Sequence, residues 1–201
     1  MTQPTPFADR AAATFSDIAA NFIALRDHAG TVGAMAEAVI AALTAGNTIY
    51  FCGNGGSAAD SQHLAAELLG RYRLDRAPLP AVALTVDTSA LTAIGNDFGF
   101  DEVFERQLRG LARRGDVLVA LTTSGNSPNV MKAVHAARAM GVTVLGLTGG
   151  SGGALKEASD IALVVPAQRT DRIQEMHIAC GHMICEMVEE AMVDGNAARQ
   201  G

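Results

Sequence analysis

The 201-residue chain has no tryptophan, and aromatic residues make up only 4 % of it. Base-stacking or sugar-stacking platforms are therefore not its main business. Basic residues are scarce, with 15 Lys and Arg against 21 Asp and Glu for a formal charge of −6. Without a basic field to hold a phosphate backbone, general nucleic-acid binding is disfavoured. There are three cysteines, Cys52, Cys180 and Cys185, an odd count with no CxxC pair. That argues against a disulfide framework or a zinc ribbon and fits a reducing cytoplasm. No apolar run approaches the roughly 18–20 residues that span a bilayer. The first residues lack a basic stretch followed by an apolar core, so no signal peptide is expected. The expectation is a soluble, cytoplasmic protein with neither membrane nor nucleic-acid partners.

What is present is a globular composition, 49 % hydrophobic and rich in glycine, with 21 Gly. Apolar residues recur at helical spacing at Phe15, Ile18, Ala19, Phe22 and Leu25, and again at Met35, Val39, Ile40 and Leu43. This predicts two N-terminal helices, separated at His28–Thr31 and ended by Gly46 and Asn47. Five β-rich runs follow: Thr48–Cys52, Ala81–Val86, Val117–Thr122, Thr143–Leu147 and Ile161–Val165. Most are continuously apolar, as strands buried on both faces of a parallel sheet are. Helices are predicted over about 57–70, 101–113 and 127–140, and a long one over Asp171–Val193. The pattern predicts one α/β domain, a three-layer α-β-α sandwich. Residues 1–46 form its helical extension, 47–193 its core and 194–201 a flexible polar tail.

Three predicted strands end in small-residue turns. Cys52–Ser57 reads CGNGGS, Thr122–Pro128 reads TTSGNSP and Thr148–Gly153 reads TGGSGG. In an open parallel sheet, ligands bind beyond the carboxyl ends of the strands, where helix N-termini offer free N–H groups suited to phosphate. Neither of the first two turns matches the Gly-rich signatures of nucleoside triphosphate or dinucleotide sites. Tight βα turns also use Gly and Ser for structural reasons alone. The functional reading that remains is a phosphorylated small molecule held by hydroxyls and backbone donors.

His63 and Glu67 are four residues apart, on one face of a predicted helix. His63 by itself reads as a solvated or core-edge histidine; together the two could share a metal or a substrate. On the last helix, Asp171 and His182 differ by only about 20° in azimuth, and Gln174 and His182 by about 80°. His177 lies about 140° from His182, so the two do not share a site. His28, His135 and His177 are assigned structural or surface roles. Buried among Ile178, Met183, Ile184 and Met187, His182 needs a carboxylate or a metal as partner. Two His, one Glu and one Gln suit a zinc-like divalent ion. Spacing alone does not join residues 63–67 to residues 174–182.

The segments GNGGS at Gly53–Ser57 and QHLAAELLGRY at Gln62–Tyr72 resemble the sugar isomerase (SIS) family, and within it the phosphoheptose isomerases. So do IGNDFGF at Ile94–Phe100, TTSGNS at Thr122–Ser127 and DRIQEMH at Asp171–His177. The resemblance covers nearly the whole chain. It implies a five-stranded parallel sheet of flavodoxin-like order and a homotetramer with sites between subunits. It implies isomerisation of sedoheptulose 7-phosphate, a phosphorylated seven-carbon sugar, to D-glycero-D-manno-heptose 7-phosphate, the first step toward nucleotide-activated heptose in bacteria. It places His63, Glu67, Gln174 and His182 around zinc, one per subunit, with Glu67 and His182 as the proton-transfer pair. It lines the substrate site with Asn54, Gly55, Gly56, Glu67, Asn96, Asp97, Thr122, Thr123, Ser124, Ser127 and Gln174, and Ser57 is a further phosphate donor. Two departures are mild: Ala58 and Ala59 stand where some relatives have His-Cys, and Thr122 where Ser is common.

Aldose–ketose conversion moves a proton between adjacent carbons through an enediol, work suited to a carboxylate and an imidazole. A zinc-bound carboxylate is a weaker base than a free one, so ligation and base work by Glu67 pull against each other. Other readings come from the same fold. One is a non-enzymatic tetramer that binds the bacterial replication initiator; that branch lacks the groups matching Glu67 and His182, and this chain has both. A second is an isomerase of another sugar phosphate. A third is a phosphosugar-sensing domain, which usually accompanies a DNA-binding module. Phe15, Ile18 and Phe22 fit either a tetramer contact or a monomer core.

Overall fold

The computed structural model describes residues 5–200. Helices α1 (Pro6–Leu25) and α2 (Ala29–Thr44) precede β1 (Ile49–Gly53) and α3 (Gly56–Leu69). Then come β2 (Ala81–Ala83), α4 (Thr88–Phe98), α5 (Val103–Leu111), β3 (Val117–Leu121) and α6 (Pro128–Met140). Strand β4 (Thr143–Gly149), α7 (Gly153–Ala158), β5 (Ile161–Val165) and α8 (Thr170–Gln200) complete the chain. The five strands are all parallel, in the order β2-β1-β3-β4-β5.

Strands β1 and β3 are buried along their whole length, as their unbroken apolar runs require. Alternate residues feed two cores. Ile49, Phe51, Val117, Val119 and Leu121 pack with α2, α3 and α8, whereas Tyr50, Cys52, Leu118 and Ala120 pack with α5, α6 and α7. The layering sets α3 against α8 on one face of the sheet. No helix among the described residues is long and apolar enough to cross a membrane.

Several boundaries differ from expectation. The break between the first helices is the 3₁₀ turn Arg26–His28 alone, and Gly30 and Thr31 already lie in α2. β2 stops at Ala83 because the chain turns at Leu84–Thr85 toward α4. Helices α4 and α7 were not expected. The last helix continues beyond Val193 to Gln200. Gly201 lies outside the described residues. Helix α1 does not complete a monomer core: Leu25 is its only buried residue, and Phe15 is 69 % exposed.

His177 shows what burial does to a titratable group. It is fully buried, and its Nε2–H donates to the Thr148 carbonyl at 3.2 Å, while Nδ1 has no partner among the described residues. Burial holds its pKa down at about 4, against the weaker opposite pull of the Thr148 bond. Below the ordinary value of 6.5, the unfolded chain takes up a proton that the folded chain refuses. Stability is therefore complete above pH 6.5 and falls as pH drops toward 4, by up to about 3 kcal/mol from this group. Urea unfolding of wild type and His177→Gln at pH 7 and pH 4.5 tests this. The wild type should lose more stability on acidification than the variant, and equal losses would remove the assignment.

Candidate active site

Strand β1 is followed on one side by β2 and has β3 on the other, so the strand order reverses between β1 and β3. Parallel α/β sheets bind ligands at this kind of crevice. The loop after β1 opens α3, and the loop after β3 opens α6. The two turns singled out from the sequence therefore flank one crevice.

Helix α3 carries His63 and Glu67 one turn apart, with His63 Nε2 3.2 Å from Glu67 Oε1. From α8, His182 Nε2 comes within 2.7 Å of His63 Nε2. The two helices approach this closely because position 181 is glycine: a Cβ there would sit 2.6 Å from the Leu64 side chain. His63, Glu67 and His182 thus present three ligand atoms within 4.8 Å of one another. Two imidazoles and a carboxylate converging on one point are a donor set for a zinc-like ion. The Tyr72 ring, which sequence reasoning left without a role, lies 5.8 Å from the His182 ring between centroids.

Gln174, two turns before His182, makes its contact lower on α3. Its Nε2 donates to Asp60 Oδ1 at 3.3 Å, and its amide covers Gly56. Asp60 is buried, which raises its carboxyl above the usual range against the Gln174 bond. Asn54 is half-buried and Gly55 and Gly56 are exposed, but Ser57 is buried beneath Gly53 rather than open on the loop.

The second loop gathers hydroxyls. Thr122 Oγ1 lies 2.8 Å from Ser127 Oγ and 3.4 Å from Ser124 Oγ. Ser127 precedes α6 without capping it through its side chain, and Pro128 follows as the first helical residue. Thr123 is half-buried on the same turn. Gly125, at φ +69°, lies flat against Gly152, where a Cβ would stand 2.0 Å from the Gly152 carbonyl oxygen. The glycine-rich turn after β4 is therefore a buttress for this loop. Asn126 completes the join: its Oδ1 accepts from Ala154 N–H at 3.0 Å and its Nδ2 donates to the Ser124 carbonyl at 2.9 Å.

Asn96 and Asp97 are exposed near the end of α4, and Asn96 Nδ2 donates to Asp97 Oδ1 at 2.8 Å. Helix α4 has no buried residue. His135 is exposed. The three cysteines are buried and free, and burial pushes each thiol up to about 12, which removes them as nucleophiles.

The model of the SIS domain matches residues 14–149. The chain is 58 % identical to the phosphoheptose isomerase of Rhodospirillum rubrum over 85 % of its own length and 91 % of that protein's. Its fold is similar to the solved phosphoheptose isomerase of Neisseria gonorrhoeae, with a TM-score of 0.86 and 46 % identity over 92 % of this chain and 99 % of that one. The enzyme from Francisella tularensis gives a TM-score of 0.89 at 35 % identity, over 92 % of this chain and all of that one. With its sheet order, its paired loops and its His-Glu-His cluster, the chain belongs to the SIS-domain proteins and, within them, to the phosphoheptose isomerase family.

Proposed function

We propose that this protein interconverts sedoheptulose 7-phosphate and D-glycero-D-manno-heptose 7-phosphate, supplying a heptose for activation as a nucleotide sugar. The observation that carries this reading is the meeting of His63, Glu67 and His182 beside the crevice of a chain more than half identical to phosphoheptose isomerases. Glu67 takes the proton from C1 of the ketose and returns it to C2, and His182 moves a proton between the two oxygens of the enediol. The hydroxyls of Thr122, Ser124 and Ser127, with Thr123 and the N-terminus of α6, hold the phosphate. Asn54, Gly55 and Gly56 line the sugar on the other side, together with Gln174. The burial of Ser57 makes it a support for this loop before it is a donor.

His63, Glu67 and His182 fit zinc, with Gln174 as a fourth donor once its amide turns from Asp60. Zinc bound there supplies Lewis acidity toward the sugar's carbonyl or adjacent hydroxyl.

The site is open in a single chain. His63 has about half its side chain exposed, and Asn96 and Asp97 stand exposed on a helix with no fully buried residue. Phe15 and Phe22, two turns apart on one side of α1, expose an apolar face beside a cleft of about 650 Å³ lined by Phe22, Leu25, Val32, Met183 and Met187. Faces of this kind mark protein contacts. They support a homotetramer in which a second copy covers α1 and brings Asn96 and Asp97 to a neighbour's site. The free cysteines support a cytoplasmic setting.

The test is turnover of sedoheptulose 7-phosphate followed by NMR, on protein stripped with a chelator and then reloaded with zinc. Turnover that falls on stripping and returns with zinc supports both the reaction and the metal. Inactive zinc-loaded protein overturns the reading, and full activity after verified stripping overturns the metal.

A further inference from the structure

Asn129 is the second residue of α6 and is 2 % exposed, yet its side chain leaves its own helix. It meets Asn54 across the crevice. Asn54 Nδ2 donates to Asn129 Oδ1 at 2.8 Å, and Asn129 Nδ2 donates back to Asn54 Oδ1 at 2.8 Å. Asn129 Oδ1 also accepts from Val130 N–H at 2.9 Å. The two amides form a closed ring of hydrogen bonds between positions 75 residues apart.

This ring sits where the strand order reverses, and its two ends belong to different halves of the site. Asn54 begins the turn that opens α3, the helix of His63 and Glu67. Asn129 lies in the first turn of α6, next to Ser127 and the hydroxyl loop. A single hydrogen bond would let one loop swing about the other. Two antiparallel bonds between planar amides fix both separation and orientation.

We propose that Asn129 is a positioning residue, which through Asn54 sets the distance between the phosphate seat and the proton-transfer group Glu67 on α3. The role rests on the reading of those two half-sites given above. A fixed span between phosphate and reacting carbons selects for a sugar phosphate of one chain length. Because Asn129 faces Asn54 and not the hydroxyls, it adds no donor for phosphate. Its loss therefore leaves the phosphate grip in place and misplaces the carbons. A displacement of about 1 Å costs as much as 10²-fold in rate.

The experiment is a double-mutant cycle on Asn54→Ala and Asn129→Ala, with sedoheptulose 7-phosphate as substrate and inorganic phosphate as competitive inhibitor. In the wild-type background, Asn129→Ala should lower kcat by about 10–10²-fold, with inhibition by phosphate unchanged. In the Asn54→Ala background, where the bond is already gone, the same substitution should cost nothing further. Thermal unfolding is read alongside, because the lost Val130 bond weakens the fold in both backgrounds. Should Asn129→Ala fail to fold, Asn129→Ser keeps a small polar group in the first turn of α6, breaks the paired bonds to Asn54 without adding charge beside the phosphate seat, and should lower kcat in the same way. Unchanged kcat, an equal loss in both backgrounds, or a loss of phosphate inhibition in step with kcat overturns the positioning role. A wild-type enzyme that neither turns over the sugar nor is inhibited by phosphate overturns the underlying site reading, and the positioning role with it.

Discussion

Replacing Glu67 with glutamine lowers kcat for sedoheptulose 7-phosphate by about 10²–10⁴-fold, the worth of a positioned general base. The amide keeps the volume of the carboxylate and its place one turn from His63, so folding and substrate affinity stay near wild type. Glu67 has two duties in the proposed site, base and metal donor, and one variant separates them if metal content is measured beside kcat. Glu67→Gln protein that keeps its zinc and loses turnover has lost the base. Protein that loses both has lost a ligand, and added zinc then restores part of the rate. Wash-in of deuterium from solvent at the carbon-bound position gives a third reading, because it reports proton abstraction even when no net product forms. His182→Gln, by contrast, should slow transfer between the oxygens while some exchange at carbon survives. Activity of Glu67→Gln within tenfold of wild type ends its assignment as base.

Much of this arrangement is legible in the sequence because it is local. Unbroken apolar runs mark β1 and β3, and an i,i+4 pair marks His63 and Glu67. His182 was readable as a polar group needing a partner on an apolar helix. That the partner is His63 depends on how closely α8 approaches α3, which Gly181 permits and no spacing rule encodes. Helix α4 was missed because its apolar pattern is thin: only Leu91 and Ile94 pack against the core, and both are half-buried. Two end signals were nonetheless present. Asp87 caps the helix by accepting from Ala90 N–H, and Gly99 follows it at φ +92°. The six-residue α7 lies directly after a run of glycines that reads as loop. Asn129 was hidden by its setting, since after Ser127 and Pro128 it reads as ordinary helix-start composition. Its partner is far away in sequence, and only the pairing of β1 with β3 brings the two together.

Removing the Glu189 side chain should have the largest effect on stability. Glu189 is 1 % exposed, seven residues after His182 on α8. Its Oε1 accepts from Tyr72 N–H at 2.8 Å, and Oε2 from Arg73 N–H at 2.6 Å and Leu74 N–H at 2.8 Å. Arg76 Nε lies 3.0 Å from Oε1, at an angle that makes the contact an ion pair rather than a hydrogen bond. The Arg76 Nη atoms donate to the carbonyls of Glu67 and Leu68, so the cluster ties the end of α3 to α8. Burial opposes ionisation of Glu189, but the three backbone donors and Arg76 outweigh it and hold the carboxyl below its usual range. Its stabilisation is therefore present above the ordinary carboxylate range and is lost as pH falls through the lowered value. Glu189→Ala leaves Arg76 buried without its counter-ion and should cost about 3–5 kcal/mol, a fall in Tm on the order of 10 °C. Glu189→Gln should cost less, since its carbonyl still accepts. Buried ion pairs can often be replaced by apolar residues without loss. Here the carboxylate also serves three main-chain donors, each costing about 1–3 kcal/mol when left unpaired. The double variant Arg76→Met/Glu189→Met should therefore remain well below wild type in urea unfolding. A double variant as stable as wild type would show that the main-chain bonds add nothing. The loop they hold carries Tyr72 beside His182, so kcat of Glu189→Gln, measured well below its Tm, reports whether that ring matters to the proton-transfer groups.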